Sequence, residues 1–184
     1  MPRSGEDARH RLQQAALELY LERGYDATTT AQIAGRAGVT ERTFFRHFAD
    51  KREVFFDGEA ALRTTLVTAI TKAPEDLAPL PVLLTAFSAV IPILEDNRAV
   101  AEARSPVIAS TPPLRERALA KTEALNHAVA EALHERGLPG PLSLLAAQIG
   151  MAAFGHAVRQ WRTSPSCDLR ALLAQSFDDI HTLS

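Results

Sequence analysis

An all-α fold of about nine helices is what the sequence predicts, on three observations. Apolar residues recur at three- and four-residue spacings through nearly all of the 184 residues. No stretch alternates apolar and polar residues between turn signals, as a half-buried strand would. Glycine and proline gather at joints between periodic segments, as at Gly24, Gly38, Gly137 and the run from Ala73 to Pro81, which holds three prolines.

The first helix starts near Ser4 to Asp7 and runs to about Arg23, with Leu12, Ala15, Ala16 and Leu19 as its apolar stripe. Gly24 suits the position just past its end, where Tyr25 can fold back on Tyr20. Thr29 and Gln32 form a capping box for a second helix, whose Ile33, Ala34 and Ala37 share one face. Gly38 permits a sharp turn, and Thr40 caps a third helix with Phe44 and Phe48 inward. Asp50, with Glu53 three positions on, caps a fourth helix reaching about Lys72 and liable to bend at Gly58.

After the proline-rich break a helix runs to about Glu95, kinked near Pro92. Another covers Asp96 to Ala109, disturbed by Pro106 and ended by Thr111-Pro112-Pro113. Ala118, Thr122, Leu125, Val129 and Leu133 stripe the segment from Leu114 to Arg136. A long, mostly apolar helix spans Pro141 to Arg162, and Asp168 caps a last one reaching toward Leu183.

The formal net charge of −2 argues against a protein that coats nucleic acid indiscriminately. The charge is uneven, however. Residues 1–52 carry nine Lys/Arg against seven Asp/Glu, and residues 53–184 carry eleven against fifteen. Two domains with those bounds are expected. Cys167 is the only cysteine, so neither an intrachain disulfide nor a Cys-rich zinc site is possible, and a reducing, cytoplasmic setting follows. The polar N-terminus lacks the apolar core of a signal peptide, and no uncharged apolar run reaches a membrane-spanning length. The longest candidate, Leu77 to Leu94, contains three prolines and reads as a buried helix.

Two short helices joined at Gly38, the second bearing Thr, Arg and His, have the layout of a helix-turn-helix, whose second helix enters the DNA major groove. With the phenylalanines inward, Glu41, Arg42, Phe45 and Arg46 face outward. Two arginines on such a face suit phosphates and guanine edges. The stretch AALELYLERGYDATTTAQIAGRAGVTERTFFRHFADK, within Arg9 to Val54, resembles the N-terminal domain of TetR-family transcriptional regulators, with its spacing intact through Lys51. The resemblance implies phosphate contacts from Thr30, Thr43, His47 and Lys51, beside Thr40 at the helix start. It implies base-edge contacts from Glu41 and Arg42, with Arg42 on guanine. The family commonly has Tyr where Phe45 stands, so a phenolic phosphate contact is missing. Phe45 can press on a sugar or a thymine methyl, and Arg46 can replace the lost anchor. Ala31 has no hydrogen-bonding side chain, which leaves sequence reading to the third helix, helped by Arg3 in the N-terminal arm.

The same resemblance implies a C-terminal domain that binds a small-molecule effector and forms a homodimer. Ala146, Gly150, Ala153 and Ala157 make a stripe of small residues beside a bulky one of Met151, Phe154, Val158 and Trp161. The expected dimer seam is Ala146, Gly150, Ala153, Ala157 and Trp161, in a four-helix interface. Phe87, Ile91, Met151 and Phe154 are candidates for an apolar effector pocket, and Arg104 reads either as solvent-exposed or as a receiver of an anionic group. The pattern from Leu94 to Arg117 resembles that of regulators responding to acyl thioesters. His127, Glu131 and His134 share a helix face at metal-ligand spacing, but Glu123 continues that stripe and a solvated surface explains it. No nucleophile–base pair is apparent, and Cys167 follows a Ser-Pro-Ser loop with no neighbouring histidine. The expectation is a repressor released from a near-palindromic operator by an effector of unknown identity, with no enzymatic activity, no metal and no other cofactor.

Overall fold

The computed structural model describes residues 3–56, 58–164 and 166–182, the side chains of Arg3, Ser4 and His181 excepted. The helices begin with α1 (Arg3–Arg23), α2 (Thr30–Arg36) and α3 (Glu41–His47), then a 3-10 turn (Glu53–Phe55) and α4 (Glu59–Lys72). They continue as α5 (Pro79–Ala89), α6 (Ile91–Asp96), α7 (Arg98–Ser110), α8 (Pro112–Glu135), α9 (Gly140–Thr163) and α10 (Leu169–Thr182). No strand occurs among the described residues. The expected kink near Pro92 is a break at Val90, so that the described residues form ten α-helices where about nine were expected. Two compact units partition the chain: Met1–Asp57 with Ala99–Leu119, and Gly58–Arg98 with Ala120–Ser184.

The first unit closes over Leu12, Ala16 and Leu19 of α1, Ile33 of α2 and Phe44 of α3, joined by Val107 and Leu114. The continuous fourth helix expected from Asp50 does not form. Val54 and Phe55 are buried in this core instead, so the backbone there makes only the 3-10 turn. Gly58, at φ +88, then supplies a left-handed start for α4. Asp50 therefore caps no helix; its Oδ1 accepts from the N–H groups of Arg52 (2.7 Å) and Glu53 (3.2 Å) in the turn that leads into the 3-10 segment. Residues 99–119 hold the turn from the other side. Arg104 donates to the Phe55 carbonyl at 3.3 Å, and Arg117 pairs with Glu53. Pro106 sits within α7 without breaking it, and Pro112 opens α8, where a missing N–H costs nothing.

The second unit packs α4, α5, α8, α9 and α10 around Leu66, Leu83, Phe87, Val129, Phe154 and Leu173. Phe87 stacks on Phe154 with centroids 4.6 Å apart. A Cβ at Gly150 would lie 2.8 Å from Leu83 Cδ1, so the absence of a side chain is what lets α5 reach α9. Arg136 closes the C-terminal end of α4, donating to the carbonyl of Ile70 in its last turn (3.1 Å) and to those of Ala73 (2.6 Å) and Pro74 (2.6 Å) just past it. Asp168 meets its expected role at the start of α10 by accepting from the Arg170 N–H at 3.0 Å. The expected continuation toward Leu183 lies outside the described residues. Pro79–Asp96 and Gly140–Thr163 are long and apolar enough to cross a membrane by composition. Here their apolar residues furnish much of the second unit's core.

Candidate nucleic-acid interface

The turn between α2 and α3 is built locally. Thr29 Oγ1 accepts from the Gln32 N–H (3.2 Å) while Gln32 Oε1 accepts from the Thr29 N–H (3.0 Å), a reciprocal capping box. Gly38, at φ +68, reverses the chain, and the Val39 N–H bonds to the Ala34 carbonyl at 2.9 Å. Thr40 then accepts from the Thr43 N–H at 3.2 Å to start α3. Phe44 is wholly buried and Phe48 nearly so. That rotation leaves Thr40, Glu41, Arg42, Phe45 and Arg46 exposed on one side, with Thr43 and His47 half-buried beside them. Phe45 is 53% exposed, an aromatic ring left in water beside two arginines. Such a face is unfavourable alone and suited to a polyanion with apolar base edges.

Two residues assigned to phosphate by resemblance are occupied inside the protein. Thr30 Oγ1 donates to Glu41 Oε1 at 2.5 Å, so the hydroxyl's single proton is directed at a carboxylate. Lys51 Nζ donates to the carbonyls of Tyr25 (2.9 Å) and Thr28 (3.0 Å) and lies 4.1 Å above the Tyr25 ring centre. Two of its three protons thus staple the α1–α2 connection, leaving one for any outside acceptor. The Tyr20 hydroxyl donates to the Lys51 carbonyl at 2.6 Å, and burial pushes its ionisation far above the ordinary tyrosine range.

Sequence reasoning missed a second brace. Arg36 of α2 forks onto Glu22 at 2.8 and 2.9 Å and reaches Glu18 at 3.2 Å, both on α1. The hydrogen bonds from Arg36 hold Glu22 below the usual carboxylate range. Glu18 and Glu22, one turn apart on α1, were its available signal. The Arg52 guanidinium beside Asp50 likewise lowers that carboxyl. Arg3 opens α1 rather than standing in an extended arm, and its side chain lies outside the described residues.

The C-terminal candidates separate. Phe87, Ile91 and Phe154 are buried together in the second unit, with half-buried Met151 against them. Arg104 does not join them. It is buried in the first unit, where it lines a cleft of about 280 Å³ between α1 and α7 with His10, Gln13 and Val100. The proposed dimer seam also needs correction. Gly150, Ala153, Ala157 and Trp161 are buried within the subunit and Ala146 is half-buried, because this stripe faces the neighbouring helices of its own unit. The face of α9 turned to solvent is a different one: Leu145, Gln148, Ala152 and His156. His127 lies 3.2 Å from Glu123, and His134 Nδ1 lies 2.9 Å from the Leu138 carbonyl. Among the described residues no three His, Cys, Asp or Glu side chains converge as metal ligands would.

Comparison with known proteins covers both units. The profile of bacterial regulatory proteins of the tetR family matches residues 12–57, and that of the MftR C-terminal domain matches residues 77–183. The chain is 32% identical over 177 residues to the HTH-type transcriptional regulator TcmR of Streptomyces glaucescens, covering 89% of this chain and 77% of that one. Among solved structures it is similar to FadR of Thermus thermophilus, a transcriptional repressor in complex with lauroyl-CoA. That match has 27% identity and a TM-score of 0.56, over 92% of this chain and 91% of that one. A TetR-family regulator of Streptomyces coelicolor A3 shares the fold, at 20% identity and a TM-score of 0.59 over 99% and 97% of the two chains.

Proposed function

This chain belongs to the TetR family of DNA-binding transcriptional regulators, which are not enzymes, and from that premise we propose a homodimeric repressor released from a near-palindromic operator by a small molecule. The carrying observation is the exposed side of α3, where Arg42, Phe45 and Arg46 stand on a helix fixed by Thr40 and by the buried Phe44. A two-fold dimer offers this surface to successive major grooves, so operator symmetry mirrors protein symmetry. The exposed face of α9 (Leu145, Gln148, Ala152, His156), with exposed Leu142 and Leu144 near its start, supports a homodimer seam there. DNA reading puts the protein in the cytoplasm.

An acyl thioester is the effector class we favour, on the lauroyl-CoA bound by the Thermus FadR and on the second unit's apolar core around Phe87, Ile91, Met151 and Phe154. No other cofactor is required. Release is a population shift: the effector must bind the DNA-incompetent state more tightly, by about 10⁴-fold for a near-complete switch. Fluorescence anisotropy of a labelled operator, titrated with lauroyl-CoA, tests the reading. Displacement is expected with lauroyl-CoA and absent with coenzyme A alone. Equal DNA affinity with and without lauroyl-CoA would refute the acyl-thioester assignment.

A further inference from the structure

Glu41 sets a puzzle for a DNA-facing surface. It is the first residue of α3, exposed, and next to Arg42 on the side offered to the groove. A carboxylate there is repelled by every phosphate it approaches, and it can accept hydrogen bonds but not donate them. The major groove presents donors at only two places, the amino groups of cytosine N4 and adenine N6. The position of Glu41 is also constrained. Thr30, on the other helix of the motif, donates to its Oε1 at 2.5 Å, fixing one oxygen and leaving Oε2 for an outside donor. Gln32, by contrast, is turned to the Thr29 cap, and Ala31 has nothing to offer.

We propose that the Thr30–Glu41 pair is a preset acceptor that reads one cytosine amino group in each operator half-site. Glu41 makes the contact and Thr30 positions it. The inference rests on the DNA-reading function of the family. It adds the identity of a base and a residue from outside the recognition helix that controls its selection. Adenine is disfavoured because it sets the acceptor N7 beside its amino group, and a carboxylate cannot donate to N7. Negative charge also weakens binding to all other sequences, so Glu41 raises specificity partly by opposing wrong sites.

The test is selection of bound duplexes from a random library by the full chain, followed by competition titrations. Wild type is expected to enrich a cytosine at one position per half-site, preferred by about tenfold over other bases. Glu41→Gln, which offers both a donor and an acceptor, is expected to exchange that cytosine for adenine. Thr30→Val is expected to lose most of the cytosine preference, and Thr30→Ser to restore it. Glu41→Ala is expected to bind random DNA more tightly than wild type. A pair serving only to brace α2 against α3 would change thermal stability in these variants and leave the enriched sequence the same, which overturns the proposal. If wild type enriches no sequence, the DNA-reading premise falls together with it.

Discussion

Replacing Lys51 with methionine separates the role its sequence position suggests from the one its geometry supports. Methionine keeps an unbranched stem and removes the ammonium. In the free protein this deletes two charge-assisted bonds, to the carbonyls of Tyr25 and Thr28, and the contact over the Tyr25 ring. Hydrogen bonds to charged groups contribute about 1.5–3 kcal/mol each, and both acceptors stand on one short connection, so their effects overlap. A loss of about 2–4 kcal/mol is expected for the half-buried side chain. For a chain of this length each kcal/mol shifts the midpoint by about 2–4 °C. Differential scanning calorimetry without DNA should therefore show the transition containing the first unit lowered by about 5–15 °C. If Lys51→Met melted with wild type yet bound operator tenfold more weakly, the staple would be wrong and Lys51 would be a phosphate contact first.

Other expectations concern packing, pH and assembly. Gly150→Ala brings a methyl 2.8 Å from Leu83 Cδ1 and 3.2 Å from Phe87 Cε2. Overpacking of about 1–3 kcal/mol outweighs the helix gain of about 1 kcal/mol, giving net destabilisation in urea unfolding. Gly35→Ala meets nothing within 4 Å and is expected to stabilise. Asp50 has a folded pKa below its unfolded one, so its stabilisation is present above the ordinary carboxylate range and is lost as pH falls through the folded value. Wild type and Asp50→Asn melts should accordingly differ at neutral pH and converge below about pH 4; a constant separation down to acid would contradict the linkage. Leu145→Glu should convert a dimer to monomers in sedimentation velocity. An unchanged mass would move the seam elsewhere.

What the sequence made legible was local. The Thr29–Gln32 box, the Gly38 turn, the Thr40 cap and the inward Phe44 all depend on residues three or four apart, and each is present as read. The staple at Lys51 was not legible, because its acceptors are backbone carbonyls 23 and 26 residues away, which carry no side-chain signature. The small-residue stripe on α9 correctly signalled close approach of another helix. It did not say which helix, and α5 of the same chain takes the place assigned to a partner. Arg104 sits among apolar neighbours because Phe55 of the same unit faces it, a pairing 49 residues apart that periodicity does not reveal. The break at Gly58 follows from burial of Val54 and Phe55, so tertiary packing overrode a helical pattern.

Operator titration of wild type and Arg42→Ala across a series of salt concentrations tests the central claim most directly. If α3 reads the groove, Arg42→Ala should lose about 1–3 kcal/mol of operator affinity, roughly 5- to 150-fold. Its affinity for random duplex should fall far less, so sequence preference relaxes. Log affinity of both proteins should fall linearly with log salt as phosphate counterions are released. Wild type and Arg42→Ala binding the selected operator equally at every salt concentration would contradict the account.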